Sequence, residues 1–189
     1  MVTPKFIVMT LDKDLSAYNY NEKIDLDRWI SKRISENSPA VEMYTFLINN
    51  GTYFKIPSEV PDILLPQKTM AYHCHSNCTH YLSTVKEEKP ILLDKIHFVT
   101  GLYGCIANNA CVPPEKRYFI DHHSFILYNG AVIDWTVLNH PPKYYDVDQY
   151  FGVMFSPKIV LDAIDELELR NLNGPMVPLM ILKDKFNQI

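Results

Sequence analysis

The chain of 189 residues is 47% hydrophobic and 21% charged, which is the composition of an ordinary globular protein. This length favours one domain and is ample for a single hydrophobic core. The net charge is −4 and no cluster of lysine and arginine stands out, so we expect no nucleic-acid partner, because phosphate binding needs a concentrated positive surface. No apolar run reaches the roughly 18 residues of a membrane span, so we expect no membrane segment.

The first third of the chain predicts a strand and two helices. Residues 5–11 form an apolar run without a basic leader or a small-residue cleavage site, and we interpret them as the first strand of a cytoplasmic protein. Apolar residues recur at helical spacing over residues 26–37, which predicts the first helix. The second helix is predicted within residues 38–51, with Ser38 as its N-cap and Gly51 past its end.

Beyond a proline-punctuated connection, the sequence predicts a helix and then consecutive strands. A loop ends at Cys74, and the helix runs from there to about Glu87. The strand candidates that follow are residues 95–106, 117–128, 131–138 and 150–155, and a capped amphipathic helix over residues 156–171 precedes a short tail. Because helices come mostly first and strands later, we predict an α+β fold with an antiparallel sheet.

The Asn129-Gly130 pair lies between two apolar runs and predicts a tight β-hairpin, because a type I′ turn needs positive φ at both central residues. In the register that a two-residue turn imposes, His123 and Asp134 are diagonal neighbours on one face, and His122 points to the other face. A one-residue slip would reverse this choice. A carboxylate beside an imidazole orients it and stabilises its charged form, as a catalytic base requires. The alternative is a strand-end histidine with local hydrogen bonds and an aspartate that caps the next turn.

The candidate nucleophile is Cys74, at the start of the predicted helix. Unpaired backbone N–H groups and the positive end of the helix dipole lower the pKa of a thiol placed there, and a neighbouring imidazolium lowers it further. The same N–H groups can help to hold an oxyanion when the thiolate attacks a carbonyl. Cys78 lies one turn further along and is interpreted as a small core residue.

These residues resemble a known superfamily in their order and spacing. A cysteine at a helix start, then a strand, then "HSF" opening a hairpin and "GAVIDWT" closing it resemble transglutaminase-like and related papain-fold cysteine hydrolases. The "CHSN" start and the His-Ser hairpin are also similar to a group of uncharacterised bacterial and phage proteins. The resemblance covers residues 70–136. It implies a papain-like (transglutaminase-like) core, in which the nucleophile helix packs on an antiparallel β-sheet.

Carried over residue by residue, the resemblance implies Cys74 as nucleophile, His123 as base and acid, and Asp134 as the residue that orients the histidine. Two features depart from the family pattern. Phe125 stands where a tryptophan usually follows the His-Ser pair, and His122 is a second histidine that the pattern does not require.

The resulting expectation is a single papain-like domain over residues 1–189. A helical and strand extension would occupy residues 1–65, the catalytic core residues 66–155, and a helix and tail residues 156–189. The activity would be hydrolysis or acyl transfer at an amide, peptide, isopeptide or ester bond through a thioester, without a cofactor, on a peptide, protein or small-molecule substrate. The side chain that completes the oxyanion hole stays open among Asn77, Gln67, Tyr72 and His73.

A competing hypothesis uses the cysteines as metal ligands. A structural zinc site needs four ligands, and two pairs of cysteines are available, although their spacings are looser than the usual short knuckle. The protein would then be a non-catalytic, zinc-stabilised binding module that uses Cys74, Cys78, Cys105 and Cys111.

Overall fold

The computed structural model describes residues 18–20, 24–38, 40–56, 73–107, 118–138, 145–167 and 177–186. The helices in these ranges are α1 (Leu26–Ser35), α2 (Val41–Asn50), α3 (Cys74–Glu88), α4 (Trp135–Leu138), α5 (Pro157–Leu167) and α6 (Val177–Phe186), and a 3-10 helix spans Pro90–Lys95. The strands are β1 (Tyr18–Tyr20), β2 (Thr52–Phe54), β3 (Ile96–Ala107), β4 (Tyr118–Tyr128), β5 (Ala131–Ile133) and β6 (Tyr145–Phe155).

The strands form one sheet in the order β1-β4-β3-β6-β2, with β5 paired to β4 off this path and every pair antiparallel. The α+β class and the antiparallel sheet are therefore confirmed. Both β1 and β2 come from the part of the chain predicted as an extension, and they pair with β4 and β6. The division of the chain at residues 65 and 155 stays a prediction.

One edge of β4 is covered in two pieces. The strand β1 pairs with residues 118–120 and β5 pairs with residues 126–128, while β3 pairs along the whole opposite edge. Within the described chain, residues 121–125 have no strand partner on the β1/β5 edge. This interval contains both adjacent histidines, and the beginning of α3 lies against it, as the contacts of the site show below.

The main hydrophobic core lies between the helices and one face of the sheet. Side chains of α1, α2, α3, α5 and α6 pack there against alternate residues of β3, β4 and β6. Trp29 and Trp135 are buried in this core, at 1% and 2% exposure. A smaller cluster on the opposite face joins Val99, Phe125 and Tyr150. Among the helices that the structure describes, none has both the length and the apolar character needed to cross a membrane.

The predicted hairpin is confirmed in its register and in its turn. Tyr128 pairs with Ala131, and the two pairs that follow continue without a slip. Asn129 and Gly130 have φ angles of 49° and 82°, the left-handed values that a type I′ turn needs at both positions. The predicted register, which places His123 on the face of Asp134 and His122 on the other face, is therefore the one observed.

Three sequence predictions need correction or lie out of reach. The second arm of the hairpin is shorter than predicted, because the strand ends at Ile133 and Trp135–Leu138 turn into α4 instead. The predicted tail contains the helix Val177–Phe186. The strand predicted over residues 5–11 lies outside the described residues.

Candidate active site

The helix α3 begins at Cys74, as predicted, and presents the cysteine at its first turn. His73 is the N-cap residue, and its side chain makes no capping hydrogen bond to the helix. The backbone N–H groups of a first turn have no partner within their own helix. Cys74 is half-buried, whereas Cys78, one turn further along α3, is 2% exposed. The thiol of Cys74 therefore lies at the positive end of the helix dipole, where a thiolate is favoured.

The Cys74 thiol has two imidazole neighbours that act on its pKa, those of His123 and His75. Burial by itself raises a thiol pKa, and burial is the largest single influence here. The charges of His75 and His123, together with hydrogen bonds from both rings, outweigh it and hold the pKa of Cys74 well below its ordinary value. The cysteine is therefore disposed to exist as a thiolate at neutral pH.

His123 bridges Cys74 and Asp134. Its Nε2 donates to Asp134 Oδ2 at 2.6 Å, which leaves Nδ1 as the ring nitrogen for the sulfur. Burial lowers a histidine pKa, but the negative charges of Asp134 and then Cys74 reverse its effect and raise the pKa of His123 well above 6.5. A thiolate beside an imidazolium is the resulting charge state.

The strands beside His123 approach each other closely. In the same row of paired residues, Gly101 lies on β3 and Gly152 on β6. A Cβ at Gly101 would collide with the backbone of Phe151, so glycine allows the close approach of β3 and β6 at this row. Tyr103, two residues along β3, tilts over His123 with 4.3 Å between ring centroids.

Asp134 is held by four hydrogen bonds, two of which explain why the chain turns into α4. The backbone N–H groups of Thr136 and Val137 donate to Oδ1 at 3.1 and 3.2 Å, so the carboxylate caps this short helix. The Tyr150 hydroxyl donates to Oδ2 at 2.8 Å, beside the bond from His123. Asp134 is 5% exposed, and hydrogen bonds to both of its carboxylate oxygens determine its orientation.

The two sequence motifs contact each other directly. Asn77, from the "CHSN" start, donates from Nδ2 to Thr136 Oγ1 of the "DWT" motif at 3.1 Å. This bond ties α3 to α4 and gives Asn77 a positioning role, which does not favour it as the oxyanion donor. Of the other candidates, Gln67 and Tyr72 lie outside the described residues, and His73 is exposed.

His122 points to the opposite face of β4, as predicted. Its Nε2 lies 3.5 Å from the hydroxyl of Tyr44 on α2, and the two rings stack with 6.1 Å between centroids. Burial, with a smaller contribution from the charge of His75, lowers the pKa of His122 to about 3. This histidine is therefore neutral and belongs to the packing between α2 and the sheet.

The zinc hypothesis finds no support in the described residues. Among them, no group of three or more His, Cys, Asp or Glu side chains is placed to hold a metal ion. Cys105 is fully buried in a small cluster with Ala107 and Phe119. Cys111 lies outside the described residues.

Sequence reasoning missed His75, Ser124, Tyr150 and Asp121 as neighbours of the site. The Nδ1 of His75 lies 2.6 Å from Ser124 Oγ, a contact between α3 and β4 that no local spacing reveals. Asp121 shares the face of His123, and burial raises its pKa to about 6. Its place two residues before His123 was the available signal, because alternate residues of a strand share a face.

No model of a known protein family, no curated protein and no solved structure matches this chain. The transglutaminase-like resemblance therefore rests on the quoted residues alone.

Proposed function

We propose that the protein is a cysteine-nucleophile enzyme that hydrolyses or transfers acyl groups at an amide, peptide, isopeptide or ester bond through a thioester, with a papain-like core. The observation that carries this proposal is the Cys74–His123–Asp134 relay at the start of α3. A lowered thiol pKa, a raised imidazole pKa and a 2.6 Å imidazole–carboxylate bond occur together in it. This combination supplies a nucleophile, a proton carrier and an orienting group.

The relay would act in two steps with one proton carrier. The thiolate of Cys74 attacks the carbonyl carbon, a C–S bond forms, and the π electrons move to the oxygen. When the tetrahedral intermediate collapses, the bond to the amine or alcohol breaks, and the leaving group takes the proton from the His123 imidazolium. An acceptor, either water or another nucleophile, then gives its proton to His123, attacks the thioester and releases the thiolate.

The burial pattern supports a substrate approaching from the side of α3. His123 and Asp134 are 2% and 5% exposed, whereas Cys74 and its neighbours in the first turn of α3 are partly exposed. A carbonyl can therefore reach the sulfur while the base and its carboxylate stay shielded from water. Shielding strengthens the electrostatic coupling between these groups, because the local dielectric is low.

The test is the reactivity of each cysteine under reducing conditions as a function of pH. We expect iodoacetamide to label Cys74 much faster than any other cysteine, at a rate that stays level well below pH 8 and declines only where the thiolate becomes protonated. An ordinary thiol instead slows about tenfold for each pH unit below its pKa of roughly 8.5. Activated esters should also form a hydroxylamine-sensitive adduct on the protein, detectable by intact mass.

Cys74→Ser should abolish the adduct and the fast labelling, whereas Cys78→Ser, one turn away on the same helix, should keep both. Equal labelling of the cysteines, or preferential labelling of Cys78, would contradict the assignment of the nucleophile. Adding amine acceptors to the thioester then separates hydrolysis from acyl transfer, because the two differ only in the acceptor.

A further inference from the structure

A second imidazole contacts the reacting sulfur, and the relay described above does not use it. His75 follows Cys74 in the first turn of α3, and its ring is close enough to act on the thiol through charge and hydrogen bonding. Its Nδ1 also lies 2.6 Å from the hydroxyl of Ser124 on β4. His75 is half-buried and Ser124 is 1% exposed, so the bond between them holds the ring against the sheet at one side of the sulfur.

The partners of the ring determine which nitrogen carries the proton. A thiolate only accepts hydrogen bonds, so the imidazole nitrogen that faces it must be an N–H donor, whether the ring is neutral or charged. When the ring is neutral, the other nitrogen is an acceptor and requires a donor as its partner. A serine hydroxyl can rotate to donate, and Ser124 lies beside Nδ1. The neutral tautomer that accepts a hydrogen bond from Ser124 at Nδ1 carries its proton on Nε2.

We propose that His75 is a second catalytic imidazole, which donates a hydrogen bond from Nε2 to the Cys74 thiolate at rest and to the oxyanion of the tetrahedral intermediate during acyl transfer. This inference rests on the acyl-transfer function proposed above. His75 keeps its proton throughout, and His123 alone carries a proton to the leaving group.

The position of the oxyanion supports this role. In the intermediate, the oxyanion is bonded to the carbon that the sulfur has just attacked, so a donor that already touches the sulfur lies within reach of that oxygen. Backbone N–H groups at the start of α3 would supply the second donor. In the described part of the chain, His75 fills this place better than Asn77, whose amide donates to Thr136.

The test compares two reactions of the same sulfur. Alkylation by iodoacetamide is a displacement at saturated carbon and develops no oxyanion, whereas acylation by p-nitrophenyl acetate passes through one. Both rates are measured for each variant at a pH where its alkylation rate no longer rises, so that a change in thiol pKa cancels. The ratio of acylation to alkylation then reports the oxyanion donor alone.

The decisive variants are His75→Met and His75→Gln, which are similar in size but differ in that only glutamine offers an N–H donor. We expect His75→Met to lower the ratio by about 100-fold, the usual loss on removing one oxyanion donor. His75→Gln should recover at least part of it. Ser124→Ala should lower the ratio less, since the ring keeps its donor and loses its orientation. His80→Met, at an exposed histidine of the same helix, should leave the ratio unchanged.

An equal fall in both rates in His75→Met would overturn the inference, because His75 would then act only on the thiol pKa or on packing. Equal ratios for the Met and Gln variants would overturn it as well. Failure of the acyl-transfer function itself would be visible in the wild-type protein, as fast alkylation of Cys74 without any thioester.

Discussion

The two faces of β4 carry adjacent histidines whose pKa values are shifted in opposite directions. His122 and His123 are both buried, at 6% and 2% exposure, so both lose contact with water. On one face, burial lowers the pKa of His122 to about 3. On the other, the carboxylate of Asp134 and the sulfur of Cys74 overcome the same burial and raise the pKa of His123. Burial alone therefore makes a histidine neutral, and only a buried counter-charge makes it an acid.

The helix α3 repeats this contrast with two cysteines one turn apart. Cys74 has imidazole neighbours that hold its pKa well below the ordinary value against the effect of burial. At Cys78, burial and then repulsion from Cys74 and Asp134 raise the thiol pKa well above its ordinary value. Because both residues are cysteines, their positions relative to the imidazoles and the carboxylate distinguish the candidate nucleophile from the core residue.

The largest expected effect comes from replacing the charged member of the histidine pair. His123→Ala should slow alkylation of Cys74 at pH 6 on the order of 100-fold, because the thiol loses the charge and the hydrogen bond that hold its pKa low, and far less of it is then thiolate. His122→Gln retains an N–H near Tyr44 and should change this rate less than about twofold. Peptide mapping after timed labelling measures both. A larger loss of alkylation rate in His122→Gln than in His123→Ala would show that His122, and not His123, is the histidine that acts on Cys74.

A smaller effect is expected from removing the charge of Asp134 while keeping its shape. Asp134→Asn should lower the pKa of His123 toward 6.5. The imidazolium would then lose its proton at a lower pH, so the range in which imidazolium and thiolate coexist would end at a lower pH. We expect about tenfold slower alkylation of Cys74 near neutral pH, because less imidazolium is present to keep the thiol in its thiolate form. Titration of His123 by NMR measures the shift directly. Asp162→Asn, at an exposed position of α5, is the matched control, and an unshifted His123 would contradict the role of the carboxylate.

The last expected effect concerns the stability of the folded protein, not the reactivity of the thiol, and tests the face of β4 that carries the neutral His122. Below about pH 6.5 the unfolded chain protonates His122, whereas the folded protein does so only near pH 3. The folded state therefore loses up to about 1.4 kcal/mol of stability for each pH unit between these values. In His122→Gln this loss is absent, so the fall in unfolding free energy from pH 7 to pH 5 should be smaller by roughly 2 kcal/mol.

Urea unfolding at the two pH values measures this difference, and His80→Gln at an exposed site should behave as wild type. An identical fall in His122→Gln and wild type would mean that His122 titrates normally, and the contrast between the two faces would disappear.

Part of the site could be predicted because it depends on local geometry. The Asn129-Gly130 turn determines the register of the hairpin, and the two-residue period of a strand then separates His122 from His123. The start of α3 at Cys74 was also predicted correctly. The short helix α4 was missed, because a Trp-Thr-Val run favours a strand, and the cap from Asp134 prevails over that preference.

By itself, the sequence determined which side chains share a strand face and which cysteine begins a helix, since turn chemistry and backbone periodicity act over a few residues. Only the tertiary structure decided that α3 begins against the interval of β4 between β1 and β5. That placement creates the contacts of His75 with Ser124 and of Asn77 with Thr136, which join residues 49 and 59 positions apart. Such contacts depend on how whole faces pack to bury apolar surface, and no spacing within a single segment specifies which faces will meet.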